Sequence, residues 1–117
     1  MMQKRAYLTG GTGFLGAHIA EKLINNGWEL IALHRPTART DYLKKLGVKL
    51  VVGDLTDLYS LKDTMPNNID AVFHVAGNVS FNKQNNKVQN RDNIDGTRNI
   101  ISASIARSCQ RFVYTSS

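Results

Sequence analysis

The stretch that decides the fold is residues 9–16, TGGTGFLG, which contains the pattern G-x-G-x-x-G at Gly11, Gly13 and Gly16. It follows a β-rich segment and precedes apolar residues that recur at helical spacing. Between a strand and a helix, such glycines make a tight turn, let the backbone approach a pyrophosphate and let the helix pack on the strand. The start of the helix also points free amides and the positive dipole end at the phosphates. The stretch therefore predicts a dinucleotide-binding loop.

Outward from this loop, β-rich segments alternate with helical ones. The predicted strands are residues 5–9, 29–34, 48–52, 71–76 and 111–116. The predicted helices are a first one from Phe14 to a C-cap at Gly27, then residues 40–46, 58–64 and 93–108, with residues 78–92 interpreted as an Asn-rich loop. This alternation is typical of a parallel sheet with helices on both faces. We expect one α/β domain over residues 1–117, a Rossmann-type, doubly wound, three-layer αβα fold with strand order 3-2-1-4-5.

The apolar residues of one strand and one helix follow recognisable patterns. Residues 48–52 are nearly all apolar, which is typical of a strand covered on both faces. In the last predicted helix, Ile94, Ile101 and Ile105 fall on one face.

Composition narrows the class of protein. The chain has 117 residues, 42% of them hydrophobic, which fits one globular domain and excludes two-domain enzymes and membrane channels. Fifteen Lys and Arg against nine Asp and Glu give a net charge of +6, but the excess is spread along the chain, so nucleic-acid binding is not favoured. Cys109 has no partner for a disulfide, and no segment is long and apolar enough to cross a bilayer, so a cytoplasmic location is expected.

The second predicted strand bears on the choice of dinucleotide. An NAD site commonly has an acid at the end of this strand for the ribose hydroxyls, but here the sequence reads Leu33-His34-Arg35-Pro36. Arg35 can pair with a 2′-phosphate, with Arg39 as a supporting charge. The sequence therefore favours NADP, with NAD as the alternative.

Two further polar residues, Asp54 and His74, lie after or within predicted strands. Asp54, after the third strand, can accept a hydrogen bond from the adenine amine or can cap a helix. His74 is interpreted as a hydrogen-bonded core residue. It shares no metal-binding spacing with the other two histidines, so no metal site is predicted.

Five blocks together resemble the extended short-chain dehydrogenase/reductase family, the NAD(P)-dependent epimerase/dehydratase group, and its dihydroflavonol-reductase-like members above all. The blocks are TGGTGFLG at 9–16, GDLTD at 53–57, VFHVAG at 72–77, NIDGTRNI at 93–100 and FVYTSS at 112–117. They occur in the family's order across essentially the whole chain.

The resemblance implies roles for individual positions. Arg35 would receive the 2′-phosphate, Asn93 would brace the helix beneath the active site, and Ser117 would be the catalytic Ser/Thr that hydrogen-bonds the reacting oxygen. The residues implied to contact pyrophosphate are Gly10, Gly13, Phe14, Leu15 and Gly16. Those implied at adenine are Asp54 and Leu55, and those implied at the nicotinamide-side ribose are Val75, Ala76 and Gly77.

The chain departs from the family in one respect. The family's proton-transfer pair is a Tyr with a Lys four residues later, and no Tyr-x-x-x-Lys occurs in these 117 residues. We therefore expect the N-terminal part of an oxidoreductase or epimerase that moves hydride between nicotinamide and a secondary alcohol or ketone, its small-molecule substrate. On its own, this chain is expected to bind cofactor without turnover.

Alternatives and one further expectation complete the sequence-based interpretation. A non-catalytic dinucleotide-binding sensor or assembly module would explain the same glycine loop, and an RNA-binding offshoot of the fold would explain the basic charge. The fifth strand would have an unpaired edge, so we expect copies of the chain to self-associate there.

Overall fold

The computed structural model describes residues 3–75 and 86–115, and the side chains of residues 86–92 lie outside that description. Across these residues, five strands alternate with four helices. The strands are β1 (Arg5–Thr9), β2 (Glu29–His34), β3 (Lys49–Val52), β4 (Ala71–Val75) and β5 (Phe112–Thr115). The helices are α1 (Phe14–Asn25), α2 (Asp41–Leu46), α3 (Leu58–Thr64) and α4 (Asn86–Ala106).

The strands form one parallel sheet in the order β3-β2-β1-β4-β5, which confirms the predicted topology. The strand order reverses between β1 and β4, where Thr9 lies opposite His74. In open sheets of this kind, ligands bind beyond the carboxyl ends of the strands at such a reversal. The topology therefore places the glycine loop, which follows β1, at the expected binding edge.

Alternating side chains divide the core into two layers. One layer, which we name the α1/α2 face, contains Ala6, Leu8 and Ala20 together with residues of β2 and α2. The other, which we name the α3/α4 face, contains Tyr7, with residues of β2, β4, α3 and α4. This is the three-layer arrangement that the alternating pattern predicts.

Several predicted boundaries and exposures change. Helix α4 begins at Asn86 instead of residue 93, so residues 86–92 are helical and the predicted loop over 78–92 was wrong there. Strand β3 is an edge strand among those described, with exposed Lys49 and Val52, so it is not covered on both faces.

The face of α4 that carries the three predicted isoleucines does not enter the core. Ile94, Ile101 and Ile105 are all exposed, the last at 75%. The side of α4 that enters the core instead carries Ile100 and Ala103, which are fully buried. Small residues let the helix lie close to the sheet, and hydrophobicity alone does not reveal them.

Candidate cofactor site

The glycine loop after β1 is shaped by close backbone contacts. Gly10 has a φ of +73°, a left-handed conformation that L-residues rarely adopt, and a Cβ there would lie 2.7 Å from the carbonyl oxygen of Val75. A Cβ on Gly16 would collide with the carbonyl group of Gly10. Both positions therefore require glycine, which packs the start of α1 tightly against β1 and β4.

The amino end of α1 fits an anionic group. Its N-cap is Gly13, no side chain caps the helix, and the first turn has no acid. The amides at this end are thus left for another acceptor, and the helix dipole favours a negative charge there. A Cβ on Gly13 would meet only the Gly10 oxygen, at 3.6 Å, so this glycine leaves open space beside the loop. A pyrophosphate is the dinucleotide group that such a cradle fits.

A cleft of about 380 Å³ runs from this loop across the carboxyl ends of the strands. It is lined by Thr9, Gly10, Thr12, Leu33, His34, Arg35, Thr37, Ala38, Gly53, Asp54, Leu55, Val75 and Asn93. A volume in this range is usual for a small-molecule or cofactor site.

The cleft brings together many of the predicted site residues. It contains Gly10, Arg35, Asp54, Leu55 and Val75, which come from four separate loops or strand ends. Asn93, expected to brace a helix, also lines it.

Other predicted residues lie beside the cleft or beyond the description. Phe14 and Leu15 are exposed at the start of α1, at 85% and 46%, next to the loop but outside the cleft lining. Gly13 and Gly16 shape the loop without lining the cleft, and Arg39 is exposed and does not line it. Ala76, Gly77 and Ser117 fall outside the described residues.

The end of β2 forms a tight turn that fixes the backbone of Arg35. The carbonyl oxygen of Arg35 accepts two hydrogen bonds, from His34 Nδ1 at 2.8 Å and from the amide of Ala38 at 3.1 Å. The Arg35 side chain is exposed in the cleft, and no acid lines the cleft at this strand end. The backbone is thus fixed, and within the described residues no hydrogen bond engages the guanidinium, which can pair with an anion.

Asp54 is held differently from its predicted helix-capping alternative. Its Oδ1 accepts from the Thr56 amide and the Thr56 hydroxyl, each at 2.9 Å, while the N-cap of α3 is Asp57. The Thr56 bonds, with positively charged Arg35 as a further cause, hold the pKa of Asp54 below its usual value against the opposing effect of burial. The Asp54 carboxylate is therefore a charged acceptor that faces the cleft.

His74 is a hydrogen-bonded core residue, as predicted. It is 3% exposed, its Nδ1 lies 2.6 Å from Thr9 Oγ1, and its Nε2 lies 3.1 Å from Thr97 Oγ1. Burial lowers the pKa of this imidazole, so it is neutral near pH 7. Both ring nitrogens are occupied by threonine hydroxyls, and the residue connects the end of β1 to α4.

Some residues shape the site through contacts that the sequence alone does not predict. Ser60 and Asn99 both contact the backbone of residues 54–55, and Gly96 lies against Leu55. The Ser60 contact spans 6 residues, whereas the Asn99 and Gly96 contacts span 44 and 41. Only the last two depend on how α4 packs. The block NIDGTRNI marks the segment as notable but does not state what it touches.

The described ranges, 3–75 and 86–115, contain neither a membrane-spanning helix nor a metal-binding cluster. Within them, no helix is long and apolar enough to cross a membrane. Within the same ranges, no group of three or more His, Cys, Asp and Glu side chains is placed to hold a metal ion.

Curated relatives carry names of oxidoreductases. The chain is 39% identical over 111 residues to a Synechocystis protein named dihydroflavonol 4-reductase. It is 35% identical over 117 residues to the sterol-4-alpha-carboxylate 3-dehydrogenase (decarboxylating) of Dictyostelium discoideum. These alignments cover 95% and 97% of this chain but only 32% and 35% of those proteins. The chain thus spans about a third of the length of the curated relatives it matches.

A solved structure and a family profile complete the comparison. A short-chain dehydrogenase/reductase superfamily protein from Agrobacterium tumefaciens with bound NAD is 26% identical, with a TM-score of 0.74 over 94% of this chain and 31% of that one. The profile of the NAD dependent epimerase/dehydratase family matches residues 6–117. Since that match runs through the glycine loop and all five strands, this chain belongs to the NAD dependent epimerase/dehydratase family.

Proposed function

We propose that this chain binds NADP in the cleft and is the N-terminal part of an oxidoreductase or epimerase. The complete protein would transfer hydride between the nicotinamide and a secondary alcohol or ketone. The single observation that carries the choice of NADP is Arg35, which lines the cleft at the end of β2, where no acid competes for a ribose hydroxyl.

Different residues of the cleft would bind different groups of the dinucleotide. The uncapped amides at the start of α1 would hold the pyrophosphate, and Gly10 and Gly16 let the backbone come close enough. Arg35 would pair with the 2′-phosphate, and Asp54 would accept from the adenine amine. Val75, with Ala76 and Gly77, would line the nicotinamide-side ribose.

Catalysis would require groups that these residues do not contain. The cofactor supplies the hydride, and Ser117 would hydrogen-bond the reacting oxygen. No Tyr-x-x-x-Lys is present to transfer the proton, so we propose that this chain alone binds NADP and does not turn over.

Cofactor preference is tested by measuring NADPH and NADH affinity at low salt through nicotinamide fluorescence. We expect NADPH to bind more tightly, and Arg35→Ser to weaken NADPH binding by about tenfold to a hundredfold, since a charge-assisted bond to phosphate is lost. NADH affinity should change little. The matched control is Arg39→Ser, which removes the same charge from an exposed arginine outside the cleft lining and should have a smaller effect. Tighter binding of NADH by the unaltered chain would contradict the NADP assignment while leaving dinucleotide binding intact.

The catalytic proposal is tested by reading the encoding DNA beyond the codon for Ser117. An in-frame Tyr-x-x-x-Lys in the following stretch supports the oxidoreductase or epimerase. A natural stop codon at that point would contradict it and favour a non-catalytic dinucleotide-binding module.

A further inference from the structure

The loop after β3 is held by a helix distant from it in the sequence. The side-chain amide of Asn99 in α4 donates to the carbonyl oxygen of Leu55 at 2.7 Å. One turn earlier, a Cβ on Gly96 would lie 3.1 Å from the Cβ of Leu55, so α4 lies directly against this loop. Asn99 itself does not line the cleft.

The same peptide group that Asn99 contacts also contacts the acid in the cleft. The Leu55 carbonyl and the Thr56 amide belong to one peptide unit, which is planar. Its oxygen accepts from Asn99, and its N–H donates to Asp54 Oδ1 at 2.9 Å. Fixing the oxygen therefore fixes the direction of the N–H, which holds the carboxylate together with the Thr56 hydroxyl, 2.9 Å from the same Oδ1.

Helix α3 holds the other end of the loop. The hydroxyl oxygen of Ser60 accepts from the Asp54 amide at 3.0 Å. The same oxygen lies 2.7 Å from the carbonyl oxygen of Asp57, to which it donates. The Asp57 amide also donates to the Asp54 carbonyl oxygen at 2.9 Å and closes this turn, and the Asn99 bond acts on the peptide at its centre, between Leu55 and Thr56.

We propose that Asn99 is a positioning residue for base recognition: it orients the peptide between Leu55 and Thr56 so that the Asp54 carboxylate is aimed at the exocyclic amine of adenine. This inference rests on the proposed function, because it requires a dinucleotide in the cleft. The bond is partly buried, so water replaces it poorly when the amide is removed.

The test compares two bases in wild type and variants. The probes are NADPH and its analogue with hypoxanthine in place of adenine. Hypoxanthine has a carbonyl oxygen where adenine has the exocyclic amine, so this position cannot donate to Asp54. We expect wild type to bind NADPH about tenfold more tightly than the analogue, as for one hydrogen bond to a charged group. In Asn99→Leu, which has no donor, this preference should fall to about twofold or less, with most of the loss in NADPH affinity.

A matched control separates positioning from general support by α4. Arg107, the residue directly after α4, also binds a backbone carbonyl of α3, since its Nε and Nη2 donate to the Lys62 oxygen at 3.1 and 2.7 Å. Arg107→Met removes a comparable helix-to-helix link without reaching the Asp54 loop. It should lower the thermal midpoint while keeping the preference for adenine. Asn99→Asp, which keeps the shape and loses the donor, replaces Asn99→Leu if the latter does not fold.

The outcomes distinguish this inference from the proposed function. If wild type binds neither probe, the proposed function fails. If wild type binds both probes equally, or if the Asn99 variant loses affinity for both by the same factor, the positioning role is overturned while dinucleotide binding stands. A preference for adenine that is lost with Asn99 and kept in Arg107→Met supports the proposal.

Discussion

The two faces of the sheet position the cleft by different means. On the α1/α2 face, the buried core includes several small residues, such as Ala6, Ala20 and Ala32, and the Tyr42 hydroxyl donates to Glu21 at 2.7 Å at the exposed margin. On the α3/α4 face, larger side chains are joined by hydrogen bonds, including Tyr7 to Thr64 at 2.8 Å. Neighbouring residues of β1 thus enter two different kinds of core.

This difference matches what each face has to hold. The α1/α2 face positions backbone amides at the start of α1, and this requires only that the helix approach the sheet closely. The α3/α4 face positions the Asp54 side chain and the end of β1, which have directional partners. Close packing alone does not fix the direction of a carboxylate, whereas a hydrogen bond does.

The largest loss of stability is expected where a substitution prevents α1 from lying close to the glycine loop. Gly16→Ala places a Cβ against the Gly10 carbonyl group, and backbone cannot move aside as a flexible side chain can. We expect a loss of about 3 kcal/mol or more in the free energy of unfolding, measured in urea, together with loss of dinucleotide binding.

The control for this prediction is the same substitution three residues earlier. A Cβ on Gly13 makes only an ordinary contact, at 3.6 Å, and the φ of −83° suits alanine. Gly13→Ala should therefore keep its stability and lose affinity, since the methyl group enters the space beside the loop. Equal stability losses in the two variants would contradict the assignment of tight packing to Gly16.

The buried Tyr7 hydroxyl gives the α3/α4 face a pH dependence. Burial raises the pKa of Tyr7 from 10.0 to about 12, although the bond to Thr64 opposes this. Between pH 10 and 12 the unfolded chain loses this proton while the folded chain keeps it, so stability should fall by about 2–3 kcal/mol across that range. The contribution is fully present below pH 10.

Two variants isolate that effect in urea unfolding at pH 9 and pH 11.5. Tyr7→Phe should cost about 1 kcal/mol at pH 9, because Thr64 keeps its bond to the Ser60 carbonyl, and should lose less stability than wild type at the higher pH. Leu8→Ala, on the opposite face, should cost about 3 kcal/mol at both pH values. If Tyr7→Phe follows the wild-type pH profile, the phenol is not responsible.

A smaller effect is expected at acid pH from His74. Because burial lowers its pKa, the folded state favours the neutral imidazole, and this contribution, present above about pH 6.5, is lost as the pH falls below that value. His74→Gln should cost about 1–2 kcal/mol at pH 8, through disturbed bonds to Thr9 and Thr97, and should flatten the acid side of the stability profile. If His74→Gln keeps the wild-type slope on the acid side, His74 is not responsible for that slope.

The smallest expected effect is on self-association, and it concerns the two edge strands of the described sheet, β5 and β3. Beside β5, the α3/α4 face continues into an apolar groove of about 260 Å³, lined by Ile101, Ser104, Ile105, Cys109 and Phe112. The opposite edge strand, β3, exposes Lys49. We propose weak self-association along β5, since charged residues protect an edge and β5 has none.

Sedimentation velocity over a range of concentrations measures this association. Val113→Lys should shift the chain toward monomer, and Val52→Lys, the same change on β3, should not. A wild-type chain that sediments as a monomer at high concentration would contradict the proposal.

Much of the fold follows from local patterns in the sequence. The strand order agrees with the prediction from alternation, and α2 ends at Leu46 as predicted, before Gly47 with its φ of +84°. The start of α4 was missed because residues 86–92 carry Asn, Lys and Gln instead of an apolar repeat. The buried stripe of α4 was missed because Ala103 and Gly96 mark it less strongly than the exposed isoleucines.

The cleft was predictable to the extent that its residues follow strands. Arg35, Asp54 and Val75 come at strand ends, and parallel strands bring their carboxyl ends to one edge. The hydrogen bonds that orient these residues were not predictable, because Asn99 and Leu55 are 44 positions apart. Their contact depends on how α4 packs, which no local pattern encodes.

The long-range contact between Asn99 and Leu55 also determines which part of the site can form first during translation. A nascent chain that has emerged only through Val75 contains four strands, the glycine loop, Arg35 and Asp54, yet it lacks α4. The proposed phosphate site can form from neighbouring segments. The loop of residues 54–57, which we propose recognises the base, waits for about 30 further residues, some seconds of translation at usual rates. On the proposed function, a dinucleotide would therefore find its phosphate site formed before the site that distinguishes its base.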